Sequence, residues 1–211
     1  MALVTIGTQT WDDQNLDVDQ FGDGTMIAEA SSSEQWAEYC DAGTPAWRYY
    51  NDDNANSSTY GKLYNWYVVS ASLTAHPIVE NPQFKIPTNG EYNTLISYLG
   101  GTEVAGHKLK NTENWGTLTR ISGNGNNSSG WKGNPGGFIK TTNEFFDKTW
   151  SGNWWTKVSS SATEAYSYRL HWQNRKAIGL TSAMKMGLSI RLILSGSWTG
   201  SNGFRPSENW G

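Results

Sequence analysis

At 211 residues, with 36% hydrophobic and only 17% charged residues, the chain is long enough for a sizeable core but poorer in charge than the roughly 25% of an ordinary domain. Gly, Ser, Thr and Asn fill the difference, a mixture that suits short strands joined by many turns and argues against a helical bundle. The net charge of −3 without any basic block excludes nucleic acid as a partner, no apolar run reaches the roughly 18 residues of a membrane insertion, and one cysteine, Cys40, excludes an internal disulfide.

Leu3 to Ile6 reads as a short strand, Gly7-Thr-Gln-Thr-Trp11 as a turn and the start of the next strand, and Gly22-Asp-Gly-Thr25 as a further turn. Ser31-Ser-Ser-Glu34-Gln-Trp36 starts a helix: the serines accept from its first free amides, Glu34 or Gln35 reaches back, and Trp36 and Cys40 face the core until Gly43-Thr-Pro45 ends it. Residues 45–50 read as an aromatic strand and residues 51–56 as a polar loop. Residues 60–69 are apolar or aromatic on both alternating faces, the pattern of a strand covered on both sides. After a loop with Pro77, Pro82 and Pro87, Thr88-Asn-Gly-Glu91 has capping-box spacing, and Tyr92, Leu95, Ile96 and Leu99 recur at helical intervals before Gly100-Gly101.

Residues 102–137 read as loop-rich, anchored by Lys108-Leu-Lys110 and Trp115. Trp150, Trp154 and Trp155 lead into a serine-rich turn, then Tyr166-Ser-Tyr-Arg-Leu-His-Trp172 and a basic turn at Arg175-Lys176. In the last strand Leu188, Ile190, Leu192 and Leu194 alternate with Ser189, Arg191 and Ile193. Residues 195–211, with Trp198, Phe204 and Trp210, show no period and read as a C-terminal arm or tail after a domain spanning 1–194. Most of the twelve tryptophans are expected in the core, because indole buries much area for little rotamer entropy; the rest offer flat surfaces for stacking.

Several of these segments form an ordered series: Ile6-Gly-Thr-Gln-Thr-Trp11, Gly22-Asp-Gly-Thr25, Tyr49-Tyr-Asn-Asp52, Tyr60-Gly-Lys-Leu-Tyr-Asn-Trp-Tyr67, Ile86-Pro-Thr88, Leu99-Gly-Gly101, Ala105-Gly-His-Lys-Leu-Lys110, Ser129-Gly-Trp131, Trp154-Trp155 and Gly187-Leu-Ser-Ile-Arg191. Their order and spacing, over about residues 4–194, resemble the Fibrobacter succinogenes major paralogous domain. That family is related to the C-type-lectin-like fold of formylglycine-generating-type enzymes and of hypervariable receptor-binding proteins of phages. The resemblance implies a single C-type-lectin-like α+β domain: short twisted antiparallel strands, two short helices and long ordered loops. Family members often carry a cysteine before the Ile-Pro-Thr segment and another after the Ser-x-Arg of the last strand; residues such as Pro82 and Leu192 stand there instead, so that bridge is absent.

No catalytic constellation emerges. Cys40 lacks a partner cysteine, His76, His107 and His171 lack metal-ligand spacing, and neither a nucleophile elbow nor a phosphate loop occurs, so the chain is expected not to be an enzyme. Asp52 and Asp53 offer clustered oxygens, which makes them the weak candidates for Ca²⁺; a solvated Asx-rich turn accounts for them better, and no cofactor is expected. The resemblance places the ligand face in the C-terminal half, where Tyr168, His171, Trp172, Asn174 and Arg175 mix flat rings with planar hydrogen-bonding groups. The resulting expectation is a recognition protein: a phage tail-fibre or receptor-binding component of a virion, assembled in the host cytoplasm. Its partners would be a cell-surface glycan or protein receptor and other virion proteins, and it would be a homo-oligomer, a trimer by the general habit of fibres. The alternatives are a structural decoration or connector protein of a virion, or a bacterial extracellular carbohydrate-binding module.

Overall fold

The computed structural model describes residues 2–196, so Trp198, Phe204 and Trp210 of the expected arm lie outside the described residues. The chain opens with β1 (Leu3–Ile6), β2 (Gln9–Asn15) and β3 (Ala28–Glu29), then α1 (Ser33–Ala42) and β4 (Ala46–Arg48). Two single 3₁₀ turns lead to α2 (Ser57–Tyr60), β5 (Leu63–Tyr64), α3 (Trp66–Thr74), β6 (Phe84–Lys85), α4 (Asn89–Tyr98) and α5 (Thr102–Leu109). The second half holds two small hairpins, β7 (Thr117–Leu118) with β8 (Ile121–Ser122) and β9 (Phe138–Ile139) with β10 (Phe145–Phe146). It ends with β11 (Ser151–Ser159), β12 (Glu164–His171), β13 (Ala177–Ala183) and β14 (Arg191–Leu194). The fold is mixed α+β, built from several small sheets. Among the described residues no helix is long and apolar enough to cross a membrane.

Two sheets organise the rest. In the first, β14 inserts between β2 and β6, antiparallel to both, so the last strand closes against nearly the first. In the second, β11, β12 and β13 form an antiparallel meander. Neighbouring residues on these strands feed opposite cores. Trp155 and Leu192 pack with Trp66, Val69 and Ile190, whereas Trp154 and Ile193 pack with Trp11, Tyr92, Leu95 and Trp131. Strand alternation is what sends adjacent side chains to opposite faces.

Tryptophan ties the irregular segments together. Of the ten described tryptophans, eight are buried: Trp11, Trp36, Trp47, Trp66, Trp115, Trp131, Trp154 and Trp155. Six of those also spend their indole N–H on distant groups, among them Trp36 on the carbonyl of Lys185 (3.2 Å), Trp66 on Thr156 (3.0 Å), Trp115 on Gly133 (3.0 Å) and Trp155 on Tyr64 (2.8 Å). A buried ring with one polar edge fills space and satisfies a loop carbonyl at once, which suits a core with little regular structure.

The capped helices form where their end signals predict. In α1, Ser32 accepts from the amide of Gln35, Gln35 Oε1 accepts from the amide of Ser31, and Gly43 takes the left-handed conformation (φ 69°) that ends the helix. In α4, Thr88 Oγ1 accepts from the amide of Glu91 (3.1 Å) and Glu91 Oε2 accepts from the amide of Thr88 (2.7 Å), a complete capping box. Thr88→Ala is therefore expected to cost about 1 kcal/mol, read as a fall in the thermal midpoint.

Two expectations are corrected. Residues 60–69 do not form one strand covered on both sides: only Leu63–Tyr64 is extended, and the chain turns helical at Trp66. Asn65 makes the switch, accepting from the amide of Ala46 (3.1 Å) and donating to the carbonyl of Thr44 (2.8 Å). A run that is apolar on every side fits a buried helix as well as a buried strand, and α3 is such a helix, packed against β11. Residues 102–137 likewise contain α5, so the described residues hold five helices where two were expected. Gly101, read as a stop, stands at the N-terminal end of α5, and Gly106 sits inside it.

Candidate functional site

Four segments meet at one corner: the C-terminal end of α5, the turn joining β12 to β13, the base of the β7–β8 hairpin, and Trp150 ahead of β11. The β12–β13 turn is locally organised by Asn174, whose Oδ1 accepts from the amide of Lys176 at 3.0 Å. Just ahead of β11, the carbonyl of Trp150 accepts from the amide of Trp172 at 2.9 Å, continuing the pairing of Ser151 with His171.

Helix α5 meets this turn backbone to backbone. The amide of His107 donates to the carbonyl of Arg175 at 3.1 Å. Such an approach needs a residue without Cβ, and Gly106 supplies it: a Cβ there would stand 2.1 Å from the carbonyl oxygen of Lys176. One turn further on, Lys110 is only 2% exposed. Its ammonium donates to the carbonyls of His171 (3.2 Å) and Asn174 (3.0 Å) and lies 4.9 Å from the ring centre of Trp115. Lys110 thus clasps the turn from beneath. No carboxylate of the described residues forms an ion pair with it.

Among the described residues, Trp150 and Trp172 are the two half-exposed tryptophans. Their rings meet edge to face, 4.9 Å between centres at 62°. Each packs against a glycine at the hairpin base: a Cβ on Gly116 would fall 2.3 Å from the Trp150 ring, and one on Gly123 would fall 2.7 Å from Trp172 Cβ. The hairpin itself exposes Leu118 and Ile121, and its two tip residues, Thr119 (φ 49°) and Arg120 (φ 69°), occupy the left-handed region. A β-branched residue there stores strain.

Of the residues predicted to bind ligand, His171, Trp172 and Asn174 are half-buried and Arg175 is exposed, all at this corner. Tyr168 is not among them. It is 8% exposed, stacks on Tyr92 at 4.4 Å, and donates its hydroxyl to Asn93 Oδ1 at 2.7 Å. Its ring and its polar edge are both used by α4, so Tyr168 is framework. Sequence reasoning named Lys110 as an anchor without its partner, the turn, and missed Trp150 as the partner of Trp172 and the glycines that admit the close contacts. The weak calcium candidates are engaged elsewhere. Asp52 binds Arg48 through both oxygens at 2.8 and 2.6 Å, and Asp53 accepts from the amide of Ala55 at 3.0 Å. Among the described residues no group of three or more His, Cys, Asp or Glu is placed to hold a metal ion. A cleft of about 260 Å³ lined by Thr8, Gln9, Glu91, Ile193, Leu194 and Gly196 shares no residue with the corner.

The ionisable groups that meet at the corner are mostly basic. Burial, with a further contribution from Arg175, pulls Lys110 down to about 8. Burial, Arg175 and Lys110 lower His107, and burial, Arg169 and Lys110 lower His171 against an opposing effect of Asp147. Elsewhere, burial pushes the Cys40 thiol up to about 11, which leaves it protonated and inert at neutral pH. Lys110 makes a pH prediction. Between about 8 and its ordinary 10.5 the unfolded chain holds the lysine proton more tightly than the folded one, so stability rises with pH across that range. Buried tyrosines such as Tyr64, whose ionisation burial opposes, work the other way from about pH 10 upwards. Denaturant midpoints at pH 7.5 and 9.5 are expected to rise more with pH in the native chain than in Lys110→Met.

No curated protein and no solved structure shows a match. The family model described as the Fibrobacter succinogenes major domain matches residues 4–194, a span that contains the whole corner and all of both organising sheets but Leu3. By that match the chain belongs to the Fibrobacter succinogenes major domain family.

Proposed function

We propose that the chain is a non-enzymatic recognition module of C-type-lectin-like type that binds a cell-surface glycan or protein receptor at the corner around Trp172. The observation that carries this reading is the Trp150–Trp172 pair: in a chain whose other described tryptophans are buried, these two are held half-exposed on a rigid seat. A fixed aromatic face supplies area without costing rotamer entropy on binding, while Arg175 and His171 beside it supply direction to hydroxyl or carbonyl groups. The β7–β8 hairpin that rises from the Gly116 and Gly123 seat, with its strained tip at Thr119 and Arg120 and its exposed Leu118 and Ile121, is a second support. Display in several copies on a particle such as a phage tail fibre, as a homo-oligomer with a trimer as the leading expectation, would multiply the avidity of individually weak sites and would bring other virion proteins into contact with this one.

Binding to a glycan array and to intact cells tests the reading. Trp172→Ala and Arg175→Ala are each expected to weaken binding by about tenfold or more, the ratio carried by one stacked ring or one charge-assisted hydrogen bond, with the thermal midpoint little changed for the exposed Arg175. Binding that survives both substitutions would move the site elsewhere. A chain that binds neither glycans nor cells but assembles with particle proteins would instead be a decoration or connector protein.

A further inference from the structure

The corner has a charge pattern that stacking against Trp172 does not require. The chain as a whole carries a net charge of −3, yet α5, β12 and the β12–β13 turn gather His107, Lys110, Arg169, His171 and Arg175 in one place. Lys110 donates to the carbonyls of His171 and Asn174, and the amide of His107 donates to that of Arg175, so four of the five are linked through the backbone of the turn. Among the described residues none of the five forms an ion pair.

The carboxylates packed nearby do not answer this charge. On α5, Glu103 is taken by Lys176 at 2.9 Å. On the segment before β11, Asp147 acts on His171 without pairing with it, while Lys148 is tied to Asn56. Arg169 Nε is buried and has no acceptor among the described residues. A buried guanidinium N–H without a partner costs free energy, as does each like-charged neighbour, and an anion at the turn would relieve the second. Consistent with that, the two histidines and Lys110 all hold their protons less tightly than usual.

We propose that the ligand recognised at Trp172 is acidic, its carboxylate or sulfate group lying among His171, Arg175 and the turn held by Lys110 while an adjoining ring packs on Trp172. This rests on the recognition reading above and narrows it to acidic sugars or similarly charged groups. Because the anion favours the protonated imidazoles, its binding strengthens as the pH falls through the histidine range. Added salt weakens it, since the site is partly open to solvent.

Inorganic sulfate and acetate, titrated into the full chain and followed by residue-resolved NMR, are the first probes, with chloride at matched ionic strength as the control. Saturable shifts at His107, Lys110, His171 and Arg175 are expected, stronger at pH 6 than at pH 8. Arg175→Ala should weaken the sulfate affinity by about tenfold or more, and Arg175→Lys should retain part of it. Absence of any shift beyond the chloride control overturns the proposal. The glycan array is the second arm: acid-bearing members should outrank their neutral counterparts. Hits confined to neutral glycans and lost in Trp172→Ala overturn the acidic ligand while leaving the recognition reading in place. Sulfate shifts at the corner without glycan or cell binding support the anion site and count against the recognition reading.

Discussion

Arg191→Met is expected to cost about 3 kcal/mol or more of stability, a large share of the total for a domain of this size. Arg191 is fully buried at the centre of the fold. Its guanidinium donates to the carbonyls of Asp12 (3.1 Å) and Trp131 (2.6 Å) and twice to Asn15 Oδ1 (3.2 and 2.8 Å), and lies 4.2 Å from the ring centre of Trp131. Methionine matches its apolar volume but none of its donors. Asn15 Oδ1 keeps the indole N–H of Trp154, whereas the carbonyls of Asp12 and Trp131 lose a charged donor in the interior. The loss should depend on pH. Burial raises the Asp12 carboxyl above its ordinary 3.8, and the charge of Arg191 holds that rise in check. Without the arginine, the folded state resists ionising Asp12 still more. The unfolded chain then releases the proton first, and stability falls as the pH rises past 3.8. Urea midpoints of the variant and native chain should therefore differ more at pH 7 than near pH 4. An equal difference at both would mean that Asp12 and Arg191 do not act on each other.

Arg191 also marks where the sequence stops being legible. The alternation of Leu188, Ile190, Leu192 and Leu194 with Ser189, Arg191 and Ile193 reads as a half-buried to fully buried strand; β14 covers Arg191–Leu194, with isolated bridges at Leu188 and Ser189 ahead of it. In the structure both faces are buried, because β14 lies between β2 and β6 and separates two cores. A polar residue inside such a strand is informative only once its partners are known, and Asp12, Asn15 and Trp131 are remote in sequence. The capped helices α1 and α4 were readable because their signals are local, within four residues of the cap. Helix α5 was not, because Gly106 reads as a breaker until the turn at residues 175–176 is seen pressed against it. The site divides in the same way. His171, Trp172 and Arg175 could be named from a strand and a basic turn together with the family resemblance. Tyr168 could not be told from them, because its burial depends on Tyr92 and Asn93 of α4. Trp150 acquires its role only through the pairing of β11 with β12.

Gly106→Ala is expected to lower stability by about 2–3 kcal/mol and to abolish binding at the corner. In an exposed helix the same change adds about 0.5–1 kcal/mol, since alanine loses less backbone entropy on folding. Gly90 in α4 is such a position: it is exposed, and the nearest atom to a Cβ there is Thr88 Oγ1 at 3.7 Å. At Gly106 the same methyl would meet the Lys176 carbonyl oxygen at 2.1 Å and that of Arg175 at 2.7 Å. These are backbone atoms and cannot swing aside as a side chain would. Helix α5 must withdraw or the turn must move, and either motion stretches the His107–Arg175 bond and pulls Lys110 from the carbonyls it clasps. The turn that presents Trp172 and Arg175 would then lose its support from beneath. Thermal midpoints of Gly106→Ala and Gly90→Ala should accordingly move in opposite directions, and at a temperature where both are folded only Gly106→Ala should lose ligand. Should Gly106→Ala fold as well as the native chain and still bind, the close seating of α5 on the turn would not be what holds the corner together.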